Sequence, residues 1–129
     1  KDWPSIIYKM NAAELAQLTD QTSEPEQAAR TLAAQTGRPV FLSLSEHGIV
    51  GAQPDGRSES RPALPVYGEI DIVGAGDAVM ANITTALAAQ ADLGEALELA
   101  NAAASVVVHK LGTTGTASIS EISGKLGFD

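Results

Sequence analysis

Seven consecutive residues could handle a transferring phosphate: Asp71-Ile72-Val73-Gly74-Ala75-Gly76-Asp77. The two glycines let the backbone come close to a ligand and take positive φ angles. A helix pattern begins at this point. The first amides of a helix have no intrahelical acceptor, and the helix dipole adds partial positive charge there. Together these features suit an anion, such as the charge that develops on a phosphoryl group in transfer. Asp77 stands at the same helix start, where its carboxylate can accept a proton from an attacking hydroxyl. The segment also reads, more plainly, as a glycine turn with an acidic first-turn residue.

Asn11-Ala12-Ala13-Glu14 is a second candidate. It has the spacing of a helix capping box, an Asn at the N-cap with Glu three residues later. A capping box and a ligand role can coexist. Ser43-Leu44-Ser45-Glu46-His47-Gly48 is a polar turn after an apolar run, and Asn101 lies within an Ala-rich helix pattern. His109 falls near a helix C-terminus, where the dipole favours it. The chain has 2 histidines and 0 cysteines, with no metal-like spacing, so neither histidine is assigned a catalytic role and disulfides are excluded.

These residues need elements to hold them. Ile6 to Met10 reads as a strand, and Asn11 caps a helix from Ala12 to Leu18. Ser23 with Glu26 reads as a capping box for a second helix, ended by Gly37. Val40 to Leu44 and Ile49 to Ala52 read as strands, the latter closed by Pro54-Asp55-Gly56. Residues 57 to 65 are polar and read as a loop or an edge segment. Val66 to Ile72 is a strand region leading into the glycine turn. A helix from Gly76 to Gln90 carries Val79, Met80, Ile83 and Leu87 on one face. A second, capped by Asp92 with Glu95, runs to Leu111 and stops at Gly112. A last short helix starts at Ser120. Strands alternating with helices predict an α/β layer fold with a mainly parallel sheet. Such a narrow sheet leaves an edge open.

The chain has 129 residues, the length of one domain, and is 44% hydrophobic but only 4% aromatic. Small apolar residues suit helices packed closely on a sheet. The formal net charge is −8, from 8 basic and 16 acidic residues. A basic footprint is absent, which argues against nucleic acid and against an anionic membrane surface. No apolar run reaches membrane-spanning length and no signal peptide opens the chain, so a cytoplasmic location is expected.

In order and spacing, these segments resemble the ribokinase-like sugar kinases, also called the phosphofructokinase B type. The signature of that family is Asp-Thr-x-Gly-Ala-Gly-Asp, and residues 71 to 77 match it with Ile72 in place of Thr. The resemblance implies that Gly74, Ala75 and Gly76 form an anion hole and that Asp77 is the catalytic base. Asn11 and Glu14 match the Asn-x-x-Glu motif that helps place magnesium and the ATP phosphates, with Met10 where the family often has Pro. Residues 43 to 48 resemble its Thr-x-Gly-x-x-Gly turn along the nucleotide, which puts Ser43, Ser45 and Gly48 beside ATP; Ser45 replaces a common Gly. Residues 99 to 113 resemble the final long helix and its loop, which makes Asn101 a candidate for the nucleotide pocket. Their wording is most similar to the heptose-phosphate kinase branch.

The resemblance implies a three-layer α/β fold in which residues 1–129 form the C-terminal ATP-binding part of one kinase domain. The N-terminal half and lid, which carry most sugar-binding residues, lie outside it, and the piece alone is expected to be inactive. It further implies ATP and magnesium, with Asn11 and Glu14 acting on the metal through water. It also implies a monovalent cation such as potassium near Asp71 and the Gly112 loop, a sugar or sugar-phosphate acceptor, and an open option of homodimerisation. The alternative is a non-catalytic α/β module that uses the same anion pocket to bind a nucleotide or sugar phosphate.

Overall fold

Short strands form in the first half of the chain, on apolar runs at Val40–Ser43 and Ile49–Ala52 and on a wholly polar run at Ser58–Arg61. In the computed structural model, which describes residues 6–19, 24–112 and 115–128, they are β1 (Tyr8–Asn11), β2 (Val40–Ser43), β3 (Ile49–Ala52) and β4 (Ser58–Arg61). They make one sheet in the order β1-β2-β3-β4. β1 and β2 run parallel, Tyr8 opposite Val40 and Asn11 opposite Ser43. β2 and β3 run antiparallel, Val40 opposite Ala52 and Ser43 opposite Ile49. The sheet is therefore mixed, where a mainly parallel one was expected. A parallel pair needs a long crossover, which α1 (Ala12–Leu18) and α2 (Pro25–Thr36) supply between β1 and β2. No α-helix separates β2, β3 and β4. The β2–β3 link is a 3-10 turn, Ser45–His47, and the β3–β4 link closes with Gln53 N–H donating to the Arg57 carbonyl at 2.8 Å. Links this short join antiparallel neighbours.

The chain divides into two compact units, Lys1–Ser60 and Arg61–Asp129. In the first, Val40 and Leu42 share a core with Met10 and Val50, with Leu15 of α1, and with Ala28, Ala29 and Ala33 of α2. The three alanines let α2 lie close to the strands, since a methyl group holds the helix off less than a larger side chain would. Phe41 is also fully buried, so both faces of β2 are covered. α2 begins at Pro25 with Glu24 as its N-cap and no side-chain cap bond. Ser23 lies outside the described residues. Its expected partner Glu26 accepts the Ser58 hydroxyl at 2.7 Å. Gly37 ends α2 in the left-handed conformation, as a glycine stop should.

The second unit holds α3 (Ala75–Ala88), α4 (Leu93–Val108) and α5 (Ile119–Leu126). α3 buries Val79, Ile83 and Ala86, whereas α4 is buried on most of its circumference, from Leu93 and Leu97 to Val107. Asp92 and Glu95 form the expected capping box on α4. That helix stops at Val108, short of the expected Leu111, because Lys110 N–H turns tightly onto the Val107 carbonyl. α5 packs Ile122 against Ala102 and Ala103. Its box pairs Ser118 with Glu121.

The strand expected over Val66 to Ile72 does not form: this stretch has no ladder partner. Gly68 at φ 70° breaks the extended run. Tyr67 and Ile72 are each 74% exposed, so their apolar side chains gain no burial that would favour a strand here.

Candidate functional site at the start of the third helix

Gly74 is the N-cap of α3 at φ 85° and ψ −9°, a left-handed conformation that glycine takes without steric cost. It makes no side-chain cap bond, and Ala78 N–H donates to its carbonyl at 3.0 Å. Ala75 N–H closes the preceding turn onto the Ile72 carbonyl at 3.2 Å. The amides of Gly74, Gly76 and Asp77 have no protein acceptor among the described residues. So the turn presents donors at Gly74, Gly76 and Asp77, while the amide of Ala75 is already engaged. Asp77 is exposed in the first helical turn.

Asp71 fixes this turn from the other side. Its Oδ1 accepts Val73 N–H at 3.0 Å and its Oδ2 accepts Gly112 N–H at 3.3 Å. Its own N–H donates to the Val108 carbonyl at 2.8 Å. Asp71 thereby ties the glycine turn to the loop that ends α4. Each carboxylate oxygen keeps a free lone pair, so a cation could still be met there.

His109 has more to do than its sequence position suggested. It is the C-cap of α4; its Nδ1 lies 2.6 Å from the Ser105 carbonyl and its Nε2 accepts Tyr67 N–H at 3.2 Å. No sequence signal foretold the contact with Tyr67, because 42 residues separate the pair. Asn101, half-buried on α4, donates through Nδ2 to the Pro62 carbonyl at 2.9 Å and to that of Arg61 at 3.4 Å. Its amide nitrogen thus anchors the segment after β4, and its oxygen has no partner among the described residues.

The remaining candidates belong to the first unit. Asn11 and Glu14 form a reciprocal box: Asn11 N–H donates to Glu14 Oε2 and Glu14 N–H to Asn11 Oδ1, both at 2.8 Å. Asn11 Nδ2 and Glu14 Oε1 stay free among the described residues. Ser43 Oγ donates to the Met10 carbonyl at 3.5 Å, linking the ends of β2 and β1. Ser45 has φ 52°, one of two non-glycine residues with positive φ among those described, and Gly48 has φ 100° and ψ −142°. The left-handed backbone at Ser45 is a physical reason for glycine to suit that position. Among the described residues no group of three or more His, Cys, Asp or Glu side chains is placed to hold a metal.

This is a ribokinase-like α/β fold. Solved structures similar to it include ribokinase from Arabidopsis thaliana complexed with ribose and ATP: TM-score 0.83, 26% identity, 95% of this chain and 41% of that one. A ribokinase II from E. coli in complex with ATP and magnesium has TM-score 0.80 at 25% identity, covering 95% of this chain and 39% of that one. The chain belongs to the pfkB family carbohydrate kinases, whose family model matches residues 5–120. Among its curated relatives is the Bifunctional protein HldE of Gluconacetobacter diazotrophicus, 40% identical over 121 residues, 90% of this chain and 25% of that protein. The chain thus spans about a quarter of the length of such relatives.

Proposed function

We propose that the complete protein carrying this chain is an ATP-dependent kinase that phosphorylates a hydroxyl group of a sugar or sugar phosphate, with Asp77 as general base. One observation carries the reading: the α3 start sets the amides of Gly74, Gly76 and Asp77, which have no acceptor among the described residues, beside the exposed Asp77 carboxylate. A passive anion pocket needs the amides but gains nothing from a carboxylate, which repels anions. A general base accounts for both.

In this reading Asp77 takes the proton of the acceptor hydroxyl as its oxygen bonds to the γ-phosphorus. The bond from that phosphorus to the β–γ bridging oxygen breaks. The Gly74, Gly76 and Asp77 amides donate to the oxygens of the transferring group as charge develops on them. Asp71 keeps those amides aligned through Val73 and Gly112. When bound, Mg-ATP supplies the phosphoryl group and the metal offsets the charge on the departing ADP.

The first unit has its own share. Asn11 Nδ2 can donate to a phosphate oxygen, and Glu14 Oε1 can accept from a magnesium-bound water. Among the described residues both atoms are free while the capping box stays closed. Ser43, Ser45 and Gly48 shape the turn assigned to the nucleotide, and Asn101 Oδ1 is the atom left for the adenine side. A monovalent cation would neighbour Asp71 and Gly112. We place such an enzyme in the cytoplasm; among the described residues no helix is long and apolar enough to cross a membrane.

The test is ADP formation by the complete protein with Mg-ATP and a panel of sugars and sugar phosphates. A heptose phosphate is the first acceptor to try, given the resemblance of residues 99 to 113. ADP release that depends on an acceptor supports the kinase. Tight ATP binding with no transfer to any acceptor supports a binding module instead.

A further inference from the structure

We propose that His109 is a positioning residue for the glycine turn, acting as a neutral, two-ended clasp between α4 and the Tyr67–Asp71 segment. This rests on the reading of Asp77 as base, because the turn it positions is the one that presents Asp77.

The protonation state follows from the partners. A carbonyl oxygen only accepts, so the 2.6 Å contact with the Ser105 carbonyl requires the hydrogen on Nδ1. A backbone amide only donates, so the 3.2 Å contact with Tyr67 N–H requires a bare lone pair on Nε2. The ring is therefore neutral and in the Nδ1–H form. Each nitrogen is matched to one partner, and a flipped ring or the other tautomer would lose both bonds.

What the clasp holds follows from the path of the chain. Residues 62 to 72 lie in no helix or strand. Packing does not fix the section nearest the turn: Tyr67 is 74% exposed and Ile70 42%. Hydrogen bonds to the end of α4 do that instead. Tyr67 N–H goes to His109, Asp71 N–H to the Val108 carbonyl at 2.8 Å, and Gly112 N–H to Asp71 Oδ2 at 3.3 Å. Of these, only the Tyr67 bond ends on a side chain of α4, so a substitution can remove it without touching the backbone. Asp71 begins the turn that opens α3 four residues later, at Ala75. Loss of the clasp frees the chain up to Asp71, so that Asp71 and the turn behind it are held to the end of α4 by the Val108 and Gly112 bonds alone.

Two measurements test this. In the protein at pH 8, 15N-labelled at histidine, long-range 1H–15N correlation should show His109 locked as Nδ1–H. The Tyr67 amide should exchange at least tenfold more slowly in this protein than in His109→Ala. The Nε2–H form, or equal exchange in both, overturns the clasp whatever the protein catalyses. In the complete protein, His109→Ala should lower kcat about tenfold with the KM for ATP within twofold, since geometry at the reacting group is lost and not nucleotide binding. His109→Gln should recover most of the rate, because its Oε1 can accept Tyr67 N–H. Equal rates for all three proteins, or no recovery by Gln, overturn the positioning role. A locked tautomer in a protein with no kinase activity at all sinks the proposed function and, with it, the role in catalysis, but leaves the clasp standing.

Discussion

Asn11 and Glu14 divide their atoms between two tasks. Asn11 Oδ1 and Glu14 Oε2 close the capping box, and Asn11 Nδ2 and Glu14 Oε1 have no partner among the described residues. The sequence carried both roles in one pattern, because a capping box and the Asn-x-x-Glu motif share a spacing. Only atom-level geometry separates them. Asn11→Ser should keep the cap, since serine caps about as well as asparagine, and change stability by no more than a few tenths of a kcal/mol. It should also weaken ATP binding in the complete protein, because the Nδ2 donor is gone. Unfolding curves and ATP titration would tell the two apart; unchanged ATP affinity would leave Asn11 a cap and nothing more. Ser45 stands where the resembled turn commonly has glycine, and its φ of 52° is a physical cause for that preference. A β-branched side chain tolerates this backbone worse than serine. Ser45→Val should lower stability by about 1–2 kcal/mol, seen as a lower denaturation midpoint with an unchanged denaturant slope.

Among the elements, some helix ends were legible from local signals: Asn11 at the start of α1, Gly37 at the end of α2, and Asp92 with Glu95 at the start of α4; α5 instead starts at Ile119, behind a Ser118–Glu121 box that the pattern from Ser120 does not include. The pairing of the strands was less so. Alternating helices and strands suggested a mainly parallel sheet, but β2, β3 and β4 follow one another through links too short for a crossover. The Val66–Ile72 strand failed for a different reason. A strand needs a neighbour, and the apolar pattern of one segment says nothing about whether another edge will reach it. α5 carries its own prediction. Its capping carboxylate, Glu121, is ordinarily near 4.5 and is lowered to about 2, first by the Ser118 backbone N–H and then by Lys110. A depressed carboxylate stabilises its helix above its unfolded value and loses that stabilisation as pH falls through its folded one. The first turn of α5 should therefore loosen between about pH 4.5 and about pH 2, and hold above that window. Amide exchange at Glu121 and Ile122 would report it; loosening complete by pH 4.5 would contradict the cap.

On the scale of the whole molecule, the family was legible because its motifs are local: residues 71 to 77 and 99 to 113 can be read without knowing what they touch. The distant partners of Asn101 and His109 were not, since Pro62 and Tyr67 lie at least 39 residues away from them in sequence. The reach of the chain is limited too, to about a quarter of the length of curated relatives. Activity therefore has to be measured on the complete protein. The central claim is that Asp77 takes a proton at the start of α3. The direct measurement is kcat and ATP affinity for Asp77→Asn, which keeps the size and the helix start but cannot act as a carboxylate base. With a carboxylate base lost, kcat should fall roughly 10²-fold or more, with ATP affinity within a few-fold. Turnover equal to that of the unaltered protein would contradict that claim.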